Sequence, residues 1–157
     1  EYVGQEFTED YYMWSRPSAY HYNVYVEGED GTRYYNDGTE FPGIGSGSNN
    51  YAATNPALTE RVEADIEAFL EKNPDVKRED IPTDLLTASG SGLDPHISPA
   101  SAEVQIPRIA EASGLSEDEI RDITAENTQG KVLGIFGEET VNVLKVNIEI
   151  AQRMGIL

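Results

Sequence analysis

The fold is decided by residues 98–130, which read SPASAEVQIPRIAEASGLSEDEIRDITAENTQG. The pair Ser98-Pro99 predicts the start of a helix, because serine caps a first turn well and proline fits the first helical position. Pro107 has no backbone N–H donor, so it predicts a kink or an early break in the same helix. Helical spacing places four apolar residues on its inner face, namely Val104, Ile106, Ile109 and Ala110.

Two more helices are predicted, one within this stretch and one after it. Ser116 and Glu119 have the spacing of a capping box, and Gly130 is a residue that typically ends a helix. Residues 141–150 fit both a strand-like alternation and a helical repeat. We predict a helix there, with Asn142 as its N-cap. The second half of the chain is therefore predicted to be mainly helical.

Upstream, the sequence predicts one long helix and short strands. Asn55-Pro56 has the pattern of a helix start, and apolar residues recur at helical spacing up to Asn73-Pro74. Residues 84–88 are a short apolar run after a proline, which is typical of a buried strand. Residues 132–136 predict a further short strand by the same criterion.

The first third of the chain differs in composition from the rest, since all nine tyrosines lie at or before Tyr51. Residues 20–26 alternate between apolar or aromatic and more polar side chains, and Glu29-Asp30-Gly31 follows as a turn before residues 32–35. This pattern predicts a β-hairpin. The glycine-rich residues 43–50 predict a loop.

The sequence as a whole predicts an α+β fold in one compact domain over residues 1–157. Its second half is helical with a small sheet, and a β-hairpin over residues 20–41 is inserted near the N-terminus. The 29 acidic residues outnumber the 11 Lys and Arg residues and give a net charge of −18. Such a field repels nucleic acid and anionic lipid headgroups and attracts cations.

The chain contains no cysteine, which excludes disulfides, thiolate zinc sites and cysteine nucleophiles. No apolar stretch approaches the roughly 20 residues of a spanning helix. No signal peptide is visible, and the chain opens on Glu1 rather than Met. We expect that an upstream segment has been removed or omitted.

Residues 87–99, TASGSGLDPHISP, combine hydroxyls, a carboxylate and an imidazole just before a helix start. One interpretation is a small hydrolase that uses Asp94, His96 and either Ser89 or Ser91, but the G-x-S-x-G pattern of a nucleophile elbow is absent. The interpretation that we favour is structural. In it, the carboxylate and hydroxyls satisfy backbone donors in a compact turn, with the imidazole hydrogen-bonded beside them.

Other chemistries find little support. Both common phosphate-binding patterns are missing, and no Lys or Arg lies between Arg78 and Arg108. The acidic turn of the hairpin lacks the closing Glu of a calcium loop, and the chain has only two histidines. We predict no catalytic residue, no cofactor and no metal. A third interpretation is a small-ligand-binding domain that uses the aromatic faces of the tyrosine-rich first third.

The order of short motifs resembles a known family. Residues 85–99, LLTASGSGLDPHISP, resemble the signature of the C subunit of the Kdp potassium-transporting P-type ATPase. The resemblance covers about residues 11–151, and so many ordered matches are more specific than any single motif. The other matching segments are WSRPSA at 14–19, GSNN at 47–50, TNPAL at 54–58, QIPRIA at 105–110, GIFGE at 134–138, and VNVL at 141–144 with Asn147.

The resemblance implies an accessory, non-catalytic subunit with one membrane-spanning helix and an extracytoplasmic domain. Its implied partners are the channel-like potassium-binding subunit and the ATP-hydrolysing subunit. A role in ATP binding, also described for the family, fits poorly with a domain outside the cell. The hairpin at 20–41 looks like an insertion, and the family's N-terminal helix is missing. Candidate family-motif or docking residues are Ser89, Gly90, Ser91, Gly92, Asp94, His96, Gln105, Arg108 and Asn142.

Overall fold

The computed structural model describes residues 5–46, 56–88, 90–130 and 138–157. The helices that it shows there are α1 (Pro56–Lys72), α2 (Pro99–Glu103), α3 (Ile106–Ser113), α4 (Glu117–Glu126) and α5 (Val143–Arg153). The strands are β1 (Val26–Glu27), β2 (Arg33–Tyr34), β3 (His96–Ile97), β4 (Thr128–Gln129) and β5 (Thr140–Asn142). Short 3-10 turns occur at His21–Asn23, Arg78–Asp80 and Thr83–Leu85. The predicted α+β class is confirmed.

The main core lies between the last three helices and a three-stranded antiparallel sheet of order β3-β5-β4. In this sheet His96 pairs with Asn142, and Val141 pairs with Ile97 on one side and Thr128 on the other. Helix α4 packs against both α3 and α5. The buried side chains of this core are Met13, Ile97, Ala102, Ile106, Ile109, Ile120, Ile123, Val141, Val143, Val146 and Ile150.

The helix boundaries follow from local capping. Ser98 Oγ accepts from Ser101 N at the start of α2, which ends within one short turn. A separate helix α3 begins at Ile106 with Pro107 in its first turn, so the predicted early break is confirmed. Gly114 ends α3 with a left-handed backbone (φ 76°), a conformation that only glycine adopts without strain.

Helix α4 has the predicted capping box at Ser116, but its predicted end at Gly130 is wrong. The helix stops at Glu126, and the next residues form strand β4, because pairing with β5 supplies the backbone partners that another helical turn would give. Residues 141–150 satisfy both patterns in succession. They complete β5 and then enter α5, with Asn142 as the predicted N-cap.

A second core lies beside α1, where Ile66 and Phe69 pack against Ile81 and Leu85. The predicted strand at residues 84–88 is wrong, because Thr83–Leu85 is a 3-10 turn. Asp84 turns its carboxylate toward Ser98 and Ser101. This leaves Leu85 as the one buried apolar side chain of the run.

The predicted hairpin is confirmed as β1 and β2, with Val26 opposite Tyr34, but its first strand is much shorter than the alternation suggests. His21, Tyr22 and Asn23 all have positive φ values, between 44° and 58°. Ser18 Oγ accepts from the backbone N–H groups of Tyr20 and Tyr22 and so stabilises this turn.

Three predictions fall wholly or partly outside the described residues. The strand at 132–136 does so entirely, and the loop at 43–50 does so beyond residue 46. Asn55 of the predicted helix start also lies outside them. The insertion of the hairpin as a unit over residues 20–41 stays a prediction. Within the described ranges, no helix has the length and apolar character that crossing a bilayer requires.

Candidate functional site

Three segments that are distant in sequence meet at one open cleft of about 310 Å³. They are the segment around Arg16, the stretch from the Thr83 turn to the start of α2, and the entry to β5. Each of them includes residues of the family resemblance. The cleft is lined by Arg16, Thr83, Asp84, Asp94, His96, Ile97, Ser98, Glu138, Glu139 and Thr140.

The segment around Arg16 is hydrogen-bonded to the backbone of residues 87–92. The Arg16 guanidinium donates to the carbonyls of Thr87 (3.2 Å) and Ala88 (3.3 Å). Ser18 Oγ donates to the carbonyl of Gly92 at 2.7 Å. Gly92 is buried and has a φ of 67°, so glycine is needed at this turn. These bonds hold the two motifs in one rigid arrangement.

Asp84 lines the cleft and is hydrogen-bonded to the start of α2. Its carboxylate accepts from Ser98 N at 2.7 Å, from Ser98 Oγ at 3.0 Å and from Ser101 Oγ. Partial burial by itself would raise the pKa of Asp84. The hydrogen bonds from Ser101 and Ser98 outweigh that effect and lower the pKa below its usual value. Asp84 is therefore a charged cap for this helix.

Asp94 and His96, which line the cleft, form a series of contacts with Asn142. Asp94 Oδ1 accepts from the His96 backbone N–H (3.1 Å) and lies 2.8 Å from His96 Nδ1. His96 Nε2 lies 3.4 Å from Asn142 Nδ2. Asn142 Oδ1 in turn accepts from Lys145 N at 3.1 Å and caps α5. These contacts thus link residues 87–99, here called the signature loop, to helix α5.

Gln105 and Arg108 do not line the cleft. They belong to a second cluster, the clamp, which consists of Asn73, Gln105, Arg108 and Asn147 and holds the backbone of residues 10–14. Gln105 accepts from Trp14 N (2.8 Å) and donates to Trp14 O (3.2 Å). Asn147 does the same for the two backbone groups of Met13, both at 2.8 Å.

Arg108 joins the parts of the clamp. Its guanidinium donates to the carbonyls of Asp10 and Tyr12, to Asn73 Oδ1 and to Gln105 Oε1. It also lies 4.3 Å from the ring centroid of Trp14, in cation–π geometry. Burial lowers the pKa of Arg108 to about 10, so the side chain stays charged at neutral pH. The clamp fixes the path of the chain into the domain.

The remaining candidate residues lie on the signature loop. Gly90 and Ser91 are exposed, and Ser91 Oγ accepts from Leu93 N at 3.2 Å. Ser89 lies outside the described residues. Sequence reasoning missed Asp84 and Asn73, which it assigned to a strand and to a helix end. No local signal was available for Asp84, because its partner Ser98 lies 14 positions further along the chain.

The contacts of His96 bear on the hydrolase interpretation. The Asp94–His96 pair has the spacing of the acidic half of a triad. However, the polar atom that the structure brings to Nε2 is the Asn142 amide rather than a serine hydroxyl. Among the described residues, no group of three or more His, Asp or Glu side chains is arranged to hold a metal ion.

The aromatic rings of the hairpin pack on one another. Tyr25 stacks on Phe41 with 4.8 Å between ring centroids, and Tyr35 meets Phe41 edge-on at 5.3 Å. His21 lies 4.6 Å from the Tyr35 ring. Tyr35 and Phe41 are buried by these contacts. These rings therefore form a small local core.

Comparison with known proteins gives one consistent result. A family model described as "K+-transporting ATPase, c chain" matches residues 1–152. The "Potassium-transporting ATPase KdpC subunit" of Clostridium kluyveri is 57% identical over 154 residues, covering 98% of this chain and 70% of the relative. Its namesake from Clostridioides difficile is 55% identical over 157 residues, covering 100% and 75%. The motifs that line the cleft and the clamp are thus part of a pattern that spans the whole chain, and the chain belongs to the KdpC family of potassium-transporting ATPase subunits.

Proposed function

We propose that this chain is an accessory, non-catalytic subunit of the Kdp potassium-transporting ATPase. It stabilises the complex of the channel-like potassium-binding subunit and the ATP-hydrolysing subunit. It acts at the extracytoplasmic face of the cell membrane, tied there by the single spanning helix that the family resemblance implies. The relatives carry the name of a potassium-transporting ATPase subunit over nearly the whole length of this chain.

The observation that carries the non-catalytic role is the use of the polar groups in and beside the family motifs. Arg16 and Ser18 bind carbonyls of the signature loop, and Asp84 caps α2. His96 is held between Asp94 and Asn142. Side chains that are occupied in this way support a rigid shape, and a rigid shape suits a docking surface better than a reactive centre.

The charge of the chain favours a position beside a cation pathway. The net charge is −18, and Asp84, Asp94, Glu138 and Glu139 all line the cleft. A negative field raises the local concentration of potassium ions, although at physiological salt it reaches only about 8 Å. Assistance of potassium entry therefore requires that the domain sits close to the entrance of the channel-like subunit.

Assembly tests the docking part of the proposal. Full-length subunit is co-expressed with its partner subunits, and the complex is purified through a tag on the ATP-hydrolysing subunit. Gly90→Arg places a large side chain on the exposed loop, where an added Cβ meets no atom within 4 Å. We expect this variant to lose most of its co-purification. The control Ala125→Arg, at an exposed position of α4, should retain it.

Two outcomes of this experiment would contradict the proposal. One is a complex that assembles and transports potassium normally without this subunit. The other is equal co-purification of both variants, which would remove the signature loop from the interface.

Activity assays test the non-catalytic part. The purified chain should hydrolyse neither nucleotides nor simple esters, because no activated nucleophile is recognisable in its sequence. Turnover that is abolished by Ser89→Ala or His96→Ala would establish the hydrolase interpretation instead.

A further inference from the structure

The hydrogen bonds around His96 determine which of its ring nitrogens carries the proton. The Asp94 carboxylate only accepts hydrogen bonds when it is ionised, so His96 Nδ1 at 2.8 Å must be the donor. A neutral imidazole then has a bare Nε2, which accepts. That atom faces Asn142 Nδ2, which donates. The three side chains therefore form a matched set only while the imidazole is neutral.

The orientation of the Asn142 amide is fixed by a different contact. Its Oδ1 accepts from the backbone N–H of Lys145 and so serves as the N-cap of α5. If the amide turned over to offer oxygen to His96, its NH₂ group would face the Lys145 N–H, and the cap would be lost. Asn142 cannot serve a protonated ring and the helix at once.

We propose that His96 is a proton-sensitive latch between the signature loop and helix α5. The neutral ring accepts from Asn142 and closes the latch. Protonation places an N–H group at Nε2 opposite the N–H groups of Asn142, and the latch opens. The strand pairing of His96 with Asn142 and the bond from Val143 N to Pro95 O, 2.9 Å long, continue to join the two segments. Proton uptake thus removes one side-chain contact between the signature loop and α5 without separating the two segments.

Several charged groups lie around the His96 ring. Asp94 contacts the ring itself, and the same cleft holds Asp84 from the 3-10 turn, Glu138 and Glu139 before β5, and Arg16 from the N-terminal segment. The ring is also about 30% exposed, so solvent can accept the new N–H. Protonation therefore breaks the contact between His96 and Asn142 and leaves the contact between His96 and Asp94 in place.

A double-mutant cycle isolates the latch from other titrating groups. The pH dependence of total stability is not specific to the latch, because the chain also contains His21, which contacts Glu6 and lies near Asp37. The cycle uses the 157-residue chain, His96→Ala, Asn142→Ala and the double variant, each unfolded with urea. Effects that do not involve residues 96 and 142 together, such as loss of the α5 cap, cancel in it.

At about pH 7.5 we expect a favourable coupling between residues 96 and 142, equal to a two- to fivefold change in the unfolding equilibrium constant. At about pH 5.5 the coupling should vanish or change sign. A coupling that is absent at the higher pH, or the same at both, would overturn the proposal.

The substitution Asn142→Asp provides a reversed control. A carboxylate keeps the α5 cap and also accepts from a protonated Nε2. Its coupling with His96 should therefore be stronger at about pH 5.5 than at about pH 7.5. An Asn142→Asp cycle with the same pH dependence as the Asn142→Ala cycle would refute the latch.

The wild-type chain alone offers a second measurement that needs no variant to fold. Nitrogen NMR of the imidazole at neutral pH should show a protonated Nδ1 and a bare Nε2 on His96. The opposite tautomer would contradict the proposal, whatever the unfolding experiments show.

Discussion

The clamp and the cleft use the same kinds of side chain in different solvent environments. Gln105 and Asn147 in the clamp are 0% and 1% exposed, whereas the side chains of His96 and Asp94 in the cleft are 30% and 38% exposed. The clamp binds backbone groups of the distant residues Met13 and Trp14. In the cleft, Asp94 and His96 bind each other, and His96 contacts Asn142 of strand β5. Gln105, Arg108 and Asn147 of the clamp and Asp94 and His96 of the cleft belong to the family motifs.

This difference determines what each cluster contributes. When a buried group loses its partner, no water replaces it, and the desolvation cost remains in full. When a half-exposed group loses its partner, water takes over part of the bond. We therefore expect the clamp to determine stability, and the cleft to leave room for contacts and for protonation. Four experiments test this contrast.

The largest effect is expected for Gln105→Leu in the clamp. The substitution leaves Trp14 N and O without partners and removes an acceptor from the buried Arg108. It should lower the free energy of unfolding by about 3 to 5 kcal/mol in urea denaturation. The matched control Gln129→Leu, at an exposed position of β4, should change it by less than about 1 kcal/mol. Equal effects at the two positions would remove the contrast.

Asp84→Asn should have the next largest effect, because it weakens charged hydrogen bonds to Ser98 and Ser101. We expect a loss of about 2 kcal/mol at neutral pH. The pKa of Asp84 is lowered in the folded state, so its contribution is present above the unfolded value of about 3.9 and disappears as the pH falls through the folded value.

The difference between wild type and Asp84→Asn should therefore shrink below about pH 4 in thermal unfolding. Asp122→Asn, at an exposed position of α4, serves as the control and should be close to wild type throughout. A difference that grows on acidification would show that the carboxylate destabilises the fold.

Asp94→Ala tests the cleft directly. The carboxylate accepts from His96 N and Nδ1, but it is more than one-third exposed. We expect a loss of about 1 kcal/mol, the lower end of the range for removing a partner from a polar group. The melting temperature of the chain measures this. An unchanged value would mean that the carboxylate serves a partner rather than the loop.

Deletion of the hairpin should have the smallest effect. Replacing residues 20–41 by a short Gly-Ser bridge removes Tyr22, Tyr35 and Phe41, none of which belongs to either of the two larger cores. A shorter connection offsets part of the lost packing, so the net change should be below about 1 kcal/mol. Circular dichroism should show cooperative unfolding. Loss of cooperativity would mean that the hairpin is a core element.

Local chemistry could be predicted from the sequence because it acts within a few residues. The capping box at Ser116, the break at Pro107 and the cap at Asn142 each depend on side chains that reach only the adjacent turn. The family motifs were equally visible, since they are patterns of order along the chain. These features established the helices of the second half and the family.

Tertiary structure alone decided where the polar residues of those motifs point. Gln105 and Arg108 were candidate docking residues in the sequence, yet both are buried around residues 10–14, more than 90 positions away. Asp84 looked like part of a strand until the distant Ser98 and Ser101 became its partners. A pattern of apolar residues reports which face is buried, but a buried polar group is placed by the partner that satisfies it. That partner depends on how the chain folds back on itself, and the local sequence does not contain it.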